Sequence, residues 1–248
     1  MAEGMYVAAS GMEAQEKLLD IIAQNLANAS TRGYKKMKPV FRTLSPQQDE
    51  PSRVENPDEA DPMKALAYPM MEYAATDFTQ GSLVATGNMT DMAIEGDGFF
   101  EVTTPDGLRY TRRGTFTVDK DNYLATVEGY RINGTSGPIS LKEGVDFSVD
   151  EGGNVFQEGQ SVGKFKVVKF PAPYKLVREG EGYFSYSEQP VEQTNYRMVQ
   201  GSLEQSNVSI IKDMTDLISA LRAYEGHQKY IRSAEEMSTK AVTELGRV

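Results

Sequence analysis

Cysteine is missing from all 248 residues, and with it go disulfides, thiol nucleophiles and thiolate metal sites. Histidine occurs once. His227 therefore has no second imidazole or thiol with which to complete a dyad or a ligand set, and is read as a surface or helix-contact residue. Basic residues are the minority: 26 Lys and Arg against 36 Asp and Glu give a net charge of -10, the wrong sign for wrapping nucleic acid. Tryptophan is absent, and the 13 tyrosines and 10 phenylalanines lack the basic companions of a base-stacking platform. They are read as core and cross-strand packing. No apolar run approaches the roughly 18 residues that span a bilayer. Glu3 stands where a signal peptide has its basic region, and no apolar block with a small-residue cleavage site follows. Nucleic-acid binding and membrane insertion are set aside, and no cofactor or metal is expected. The chain is expected to stay in the cytoplasm or to leave it by a route that needs no cleaved signal.

What is present starts at the two ends. Ile210, Met214, Leu217, Leu221, Tyr224, Gln228, Ile231, Glu235, Ser238, Val242 and Leu245 step by four and three, a heptad seam with polar interruptions. Met5, Ala8, Met12, Gln15, Leu19, Ile22, Leu26 and Ala29 repeat the spacing at the other end, with no proline and only Gly4 and Gly11 as weak points. Each end is thus a helix with one apolar stripe, and such a stripe needs a partner because burial, not propensity, holds most helices. That partner is either the other end of the same chain or the helices of neighbouring copies, and the second choice makes a polymer. Asn28, Ser30 and Gly33 end the first helix near residues 29–33. Arg32, Lys35, Lys36, Lys38 and Arg42 follow without an acid. An acidic block at 46–62 then carries Pro46, Pro51, Pro57 and Pro62 and reads as an extended linker or long loop.

From Met70 to about Tyr186 the period changes to two. Phe99 to Thr103, Leu108 to Thr111, Thr115 to Val118 and Lys164 to Val168 are rich in β-branched and aromatic residues. Turn signals at Pro105-Asp106-Gly107, Asp119 to Asn122, Asn133-Gly134 and Gly152-Gly153-Asn154 separate them. Gly96-Asp97-Gly98 precedes a strand rather than a helix N-terminus, so it is a turn and not a phosphate loop. Asp119 to Asn122 lacks the glycine and distal Glu of an EF-hand, and no carboxylate pair stands out for glycoside hydrolysis. The organisation is α+β: residues 1–44 form a helix and turn, 45–69 a Pro-rich acidic linker, 70–200 an antiparallel β domain and 201–248 a second helix. The terminal helices are expected to pair as a coiled coil. Gln80-Gly81-Ser82-Leu83 is echoed by Gln200-Gly201-Ser202-Leu203, too short to make a repeat architecture.

Four stretches carry a resemblance. Val7-Ala8-Ala9-Ser10-Gly11-Met12 with Gln15, then Asn25-Leu26-Ala27-Asn28 running to Thr31, Gly33, Tyr34 and Lys35, resemble the N-terminal signature of the flagellar basal-body rod and hook proteins. Asp77 to Leu83, Thr86-Gly87-Asn88, Asp91 to Phe100, Tyr110-Thr111-Arg112, Gly114 and Phe116 are similar to the family's central signature. Gln200 to Glu204, Ser206-Asn207-Val208, Met214-Thr215, Leu217-Ile218 and Arg222-Ala223-Tyr224-Glu225 are similar to its C-terminal one. Gln24, Ser30, Asn122 and Gly226-His227 depart from it, each by a turn or helix-surface exchange. The small β module favours a rod subunit of the FlgF/FlgG type over a hook protein.

The resemblance implies helices that line the inside of a tube, a β module outside them, and head-to-tail contacts that do not close and so build a helical polymer. It implies subunit-packing roles for Met5, Met12, Leu19, Ile22, Leu26, Met214, Leu217, Leu221, Tyr224, Ile231, Val242 and Leu245, and a joint at Asn25, Asn28 and Gly33. Partners would be further copies, other rod, hook and basal-body ring proteins, and the flagellar export apparatus. The location would be the periplasmic part of the basal body, and no catalysis is implied. A rival reading is a β protein that binds glycan or peptidoglycan through surface tyrosines and carboxylates.

Overall fold

The computed structural model describes residues 2–44, 68–172, 174–180 and 182–245. The acidic block at 46–62 lies outside them. The fold is α+β, with helix α1 at Ala2–Ala27, helix α2 at Ile210–Leu245 and antiparallel strands between. The two helices run 26 and 36 residues, about 39 and 54 Å at 1.5 Å per residue. α2 opens with Ser209, whose carbonyl accepts the Asp213 amide at 2.8 Å, and the acid in that first turn suits the positive helix end.

The chain divides into two compact units. The first holds α1, α2 and an antiparallel ribbon of Met37–Leu44 with Tyr68–Thr76. The basic block conceals this strand: Lys38, Phe41 and Arg42 are exposed while Pro39 and Val40 are half-buried. Pro39 is tolerated because a two-stranded ribbon is all edge. The register shifts by a bulge between Val40 and Phe41.

The second unit takes in residues 28–36 and 78–208. Its main sheet runs Val177–Glu179, Tyr183–Ser185, Gly107–Thr111, Phe99–Thr104, Arg131–Gly134, Leu124–Thr126, Phe116–Val118, with Val167–Lys169 also paired to Phe99–Thr104. Side-chain alternation divides the buried residues between two faces. Phe100, Val102, Phe116, Leu124, Ile132, Phe165 and Val167 form one cluster, and Phe99, Tyr110, Val168, Phe170 and Phe184 the other. The run Lys164 to Val168 is not one strand. Gln160–Lys164 belongs to a three-stranded sheet and Val167–Lys169 to the main one, because Phe165 turns into the first cluster and bridges Gly134 between them. Asn133-Gly134 likewise closes a strand instead of forming the turn. Gly134 pairs Gly137, so the turn falls on Thr135 and Ser136. The echoed Gln-Gly-Ser-Leu segments run against each other, with Leu83–Ala85 paired to Ser202–Glu204.

Candidate functional site

The helices of the first unit lie against each other. Along α2 the least exposed positions are Asp213, Leu217, Ala220, Tyr224, His227, Ile231, Ala234, Ser238 and Ala241, stepping by four and three, with Ala223 beside them. This inward stripe shares Leu217, Tyr224, Ile231 and Ser238 with the stepping visible in the sequence. It takes small or polar residues for the remainder. Met214 is 52 % exposed, Leu221 43 % and Val242 73 %, and Met214 and Leu221 form with Ile211 and Ile218 a second, exposed apolar stripe. The side chain of Leu245 lies outside the described residues. On α1, Ile22 is buried, while Met5, Met12, Leu19 and Leu26 are half-buried. Gly4 and Gly11 are the notches that let the helices approach. A Cβ on Gly11 would stand 2.9 Å from the His227 ring, and one on Gly4 would collide with the Tyr230 hydroxyl. Tyr230 thus already reaches the first turn of α1, and α2 continues to Leu245.

At the end of α1 the buried Asn25 acts like a piece of backbone. Its Nδ2 donates to the Met37 carbonyl at 2.8 Å and its Oδ1 accepts the Met37 amide at 2.9 Å. This ties the helix end to the start of the ribbon. Asn28 begins the turn that follows: its carbonyl and its Oδ1 take the Thr31 amide and hydroxyl. Gly33 has a φ of +69°, and a Cβ there would stand 2.6 Å from the Arg112 backbone, so two independent constraints require glycine.

Beyond Gly33 the second unit contains a buried knot of charge. Lys35, Arg112 and Glu204 are each at most 4 % exposed. Glu204 Oε1 accepts Lys35 Nζ at 2.6 Å and the Gly81 amide at 2.9 Å, and its Oε2 accepts an Arg112 nitrogen at 3.2 Å. Two cations share one carboxylate, and backbone carbonyls of Thr79, Ile94 and Gly96 accept further donors, while Arg112 Nε is buried without a hydrogen-bond partner. Burial pushes the Arg112 guanidinium below its usual value, and Glu204 pulls it back. Asn207 closes the ring: its Oδ1 accepts the Lys36 amide at 2.7 Å and its Nδ2 donates to Thr79. Arg178 lies over the Tyr34 ring at 4.6 Å and donates to the Lys35 carbonyl.

The knot joins residues separated by up to 171 positions, which no periodicity announces. Its only trace in the sequence is charge placed among turn residues, at Lys35 after Gly33-Tyr34 and at Glu204 after Gly201-Ser202-Leu203. Elsewhere, Asp119 is occupied by its own hairpin, where Oδ1 accepts the Asp121 and Tyr123 amides. Among the described residues no cluster of three His, Asp or Glu suits a metal, and no helix is long and apolar enough to cross a membrane.

Three parts of the chain match three family models. Residues 5–35 match the flagella basal body rod protein family, 93–157 the D1 domain of the flagellar hook protein FlgE/F/G family, and 199–244 the C-terminal domain of flagellar basal body rod FlgEFG proteins. Among curated proteins, the chain is 33 % identical to the flagellar basal-body rod protein FlgG of Borreliella burgdorferi, with 96 % of each chain covered. It is 33 % identical to FlgF of Caulobacter vibrioides, covering both in full. It is 34 % identical to FlgG of Agrobacterium fabrum over 94 % of this chain and 95 % of that one. The buried knot draws one residue from each matched end, Lys35 and Glu204, and holds them on the β unit through Arg112. This chain belongs to the flagellar basal-body rod protein family.

Proposed function

We propose that the chain is a structural subunit of the bacterial flagellar rod that polymerises into a helical tube and transmits torque from motor to hook. The observation that carries this is the second apolar stripe of α2. Ile211, Met214, Ile218 and Leu221 are between 43 and 83 % exposed, on a helix whose other face is already covered by α1. A surface helix with two apolar stripes has a place for two partners. One is α1 of the same chain, paired as a coiled coil, and the other is a helix of the next copy. The excess length of α2 over α1 supports overlap between copies, and a contact that is head-to-tail without closing extends into a filament. In this reading Met5, Met12, Leu19, Leu26, Met214, Leu221, Val242 and Leu245 join the packing of neighbours. Asn25, Asn28 and Gly33 form the joint where α1 gives way to the chain of the β module. Neighbours are other rod, hook and basal-body ring proteins, reached through the flagellar export apparatus, and the site is the periplasmic basal body. The test is deletion of the gene followed by electron microscopy of isolated basal bodies. Truncated or missing rods in non-motile cells are expected, restored by the wild-type gene but not by Leu221→Asp. Intact rods and normal swimming in the deletion strain would overturn the reading.

A further inference from the structure

On the second face of the main sheet three polar side chains stand side by side across adjacent strands. Val102 pairs Ile132 and Gly134 bridges Phe165, which sets Glu101 opposite Asn133 and Asn133 opposite Lys166. The Lys166 amide donates to the Asn133 carbonyl at 3.1 Å, confirming the register. Directly opposed residues on neighbouring strands project to the same face. There, Glu101 Oε1 accepts both Lys166 Nζ at 2.9 Å and Asn133 Nδ2 at 3.1 Å. The amine and the amide are therefore held against one oxygen. Asn133 Oδ1 in turn accepts the Thr103 hydroxyl at 3.0 Å.

Two features set this group apart from an ordinary ion pair. Glu101 is 3 % exposed, yet its Oε2 is buried without a hydrogen-bond partner, where buried carboxylates are normally satisfied. Tyr110 stands opposite Glu101 and packs on Phe170 with ring centroids 4.9 Å apart. This apolar wall strengthens charge interactions on that side. Lys166 is the one member open to solvent, with 36 % of its side chain exposed.

We propose that Lys166 and Asn133 join through an intramolecular isopeptide bond, formed once the sheet has folded, with Glu101 carrying the protons. The Lys166 ammonium passes a proton to Glu101 Oε1. The Nζ lone pair then attacks Asn133 Cγ, making the new C–N bond, while the carbonyl electron pair moves onto Oδ1 and is held by the Thr103 hydroxyl. Glu101 returns its proton to Nδ2 and takes one from Nζ. Oδ1 re-forms the carbonyl, the Cγ–Nδ2 bond breaks, and ammonia leaves past the exposed lysine stem. Glu101 then gives its proton to the departing ammonia as ammonium. The net change is one ammonium and one primary amide converted to a secondary amide and free ammonium, with no oxidant or second reactant. Holding amine, amide and proton carrier together is the entropic part of such a reaction. The product would bolt Arg131–Gly134 covalently to the segment leading into Val167–Lys169, so that shear on the β unit falls on a covalent bond rather than on hydrogen bonds alone.

The test is intact-mass spectrometry of the full-length folded chain after denaturation, with tryptic mapping. Wild type is expected to weigh one ammonia less than its sequence and to yield a branched peptide joining Lys166 to Asn133. Lys166→Arg and Glu101→Gln are expected to keep the full sequence mass while retaining wild-type circular dichroism. A wild-type chain at full sequence mass overturns the proposal. So does loss of ammonia without a branched peptide, or loss that persists in Lys166→Arg, since Asn133-Gly134 can also lose ammonia by closing a succinimide on its own backbone.

Discussion

At the scale of single residues, the buried knot is where one substitution has the largest consequence. Glu204→Gln leaves Lys35 and Arg112 buried around a neutral amide. Removing the only carboxylate from a buried group of this kind is expected to cost about 3–5 kcal/mol. Lys35→Met should cost distinctly less, because Glu204 keeps Arg112 and the Gly81 amide and the remaining charges balance. Urea denaturation of the two variants checks this through their midpoints at unchanged slope. Equal losses would mean that the knot acts through packing and not through charge. The residues of this knot are all visible in the sequence as members of signature segments, but their joint role is not. Lys35 looks like one more member of a solvent-facing basic run, because burial of a lysine depends on a carboxylate that the chain supplies 169 positions later. Asn25 enters as a joint residue only through the family resemblance, and its two bonds to Met37 depend on a strand that the basic block hides.

At the scale of elements, the helices are legible from their stepping and the strands from alternation and turn chemistry. Phase was harder. In α2 both stripes carry four-three spacing, and the larger apolar side chains, Met214, Leu221 and Val242, draw the eye to the outward one. The inward stripe carries the small residues Ala220, Ala234 and Ala241, and the close approaches at Gly4 and Gly11 are made by Tyr230 and His227. Adjacent residues on the two stripes should therefore respond in opposite ways. Ala220→Asp, at a position 4 % exposed, is expected to destabilise the isolated chain, whereas Leu221→Asp should leave its thermal melt within about 0.5 kcal/mol of wild type and lose only assembly. The sheet makes a separate prediction for pH. Burial raises the phenols of Tyr110, Tyr183 and Tyr196 above the ordinary tyrosine value. A folded value above the unfolded one means that the native state holds its protons more tightly. Stability is then fully present below about pH 10 and falls as pH rises beyond it. Phenolate absorbance recorded alongside circular dichroism should show these three ionising above the range of an exposed tyrosine.

At the scale of the whole molecule, the lengths of the helices decide what the chain can do alone and what it can do only in company. Gly4 meets Tyr230, so the intramolecular helix contact has reached the start of α1 while α2 still runs to Leu245. The last turns of α2 keep Ser238 and Ala241 half-buried on the inward stripe, yet they also carry Met237, 56 % exposed, and Val242, 73 % exposed. Apolar side chains in that position gain burial only from another chain, at roughly 25 cal/mol per Å² removed from water. A chain ending at Ala234 is therefore expected to lose from its own fold only what the half-buried Ser238 and Ala241 contribute, a small fall in melting temperature, and to enter rods poorly or not at all. Calorimetry of the purified protein and electron microscopy of basal bodies from the complemented deletion strain measure the two halves of this expectation separately. Rods of normal length built from the shortened chain would show that the overhang is dispensable, and would leave the outward stripe between Ile211 and Leu221 to account for the contact between subunits by itself.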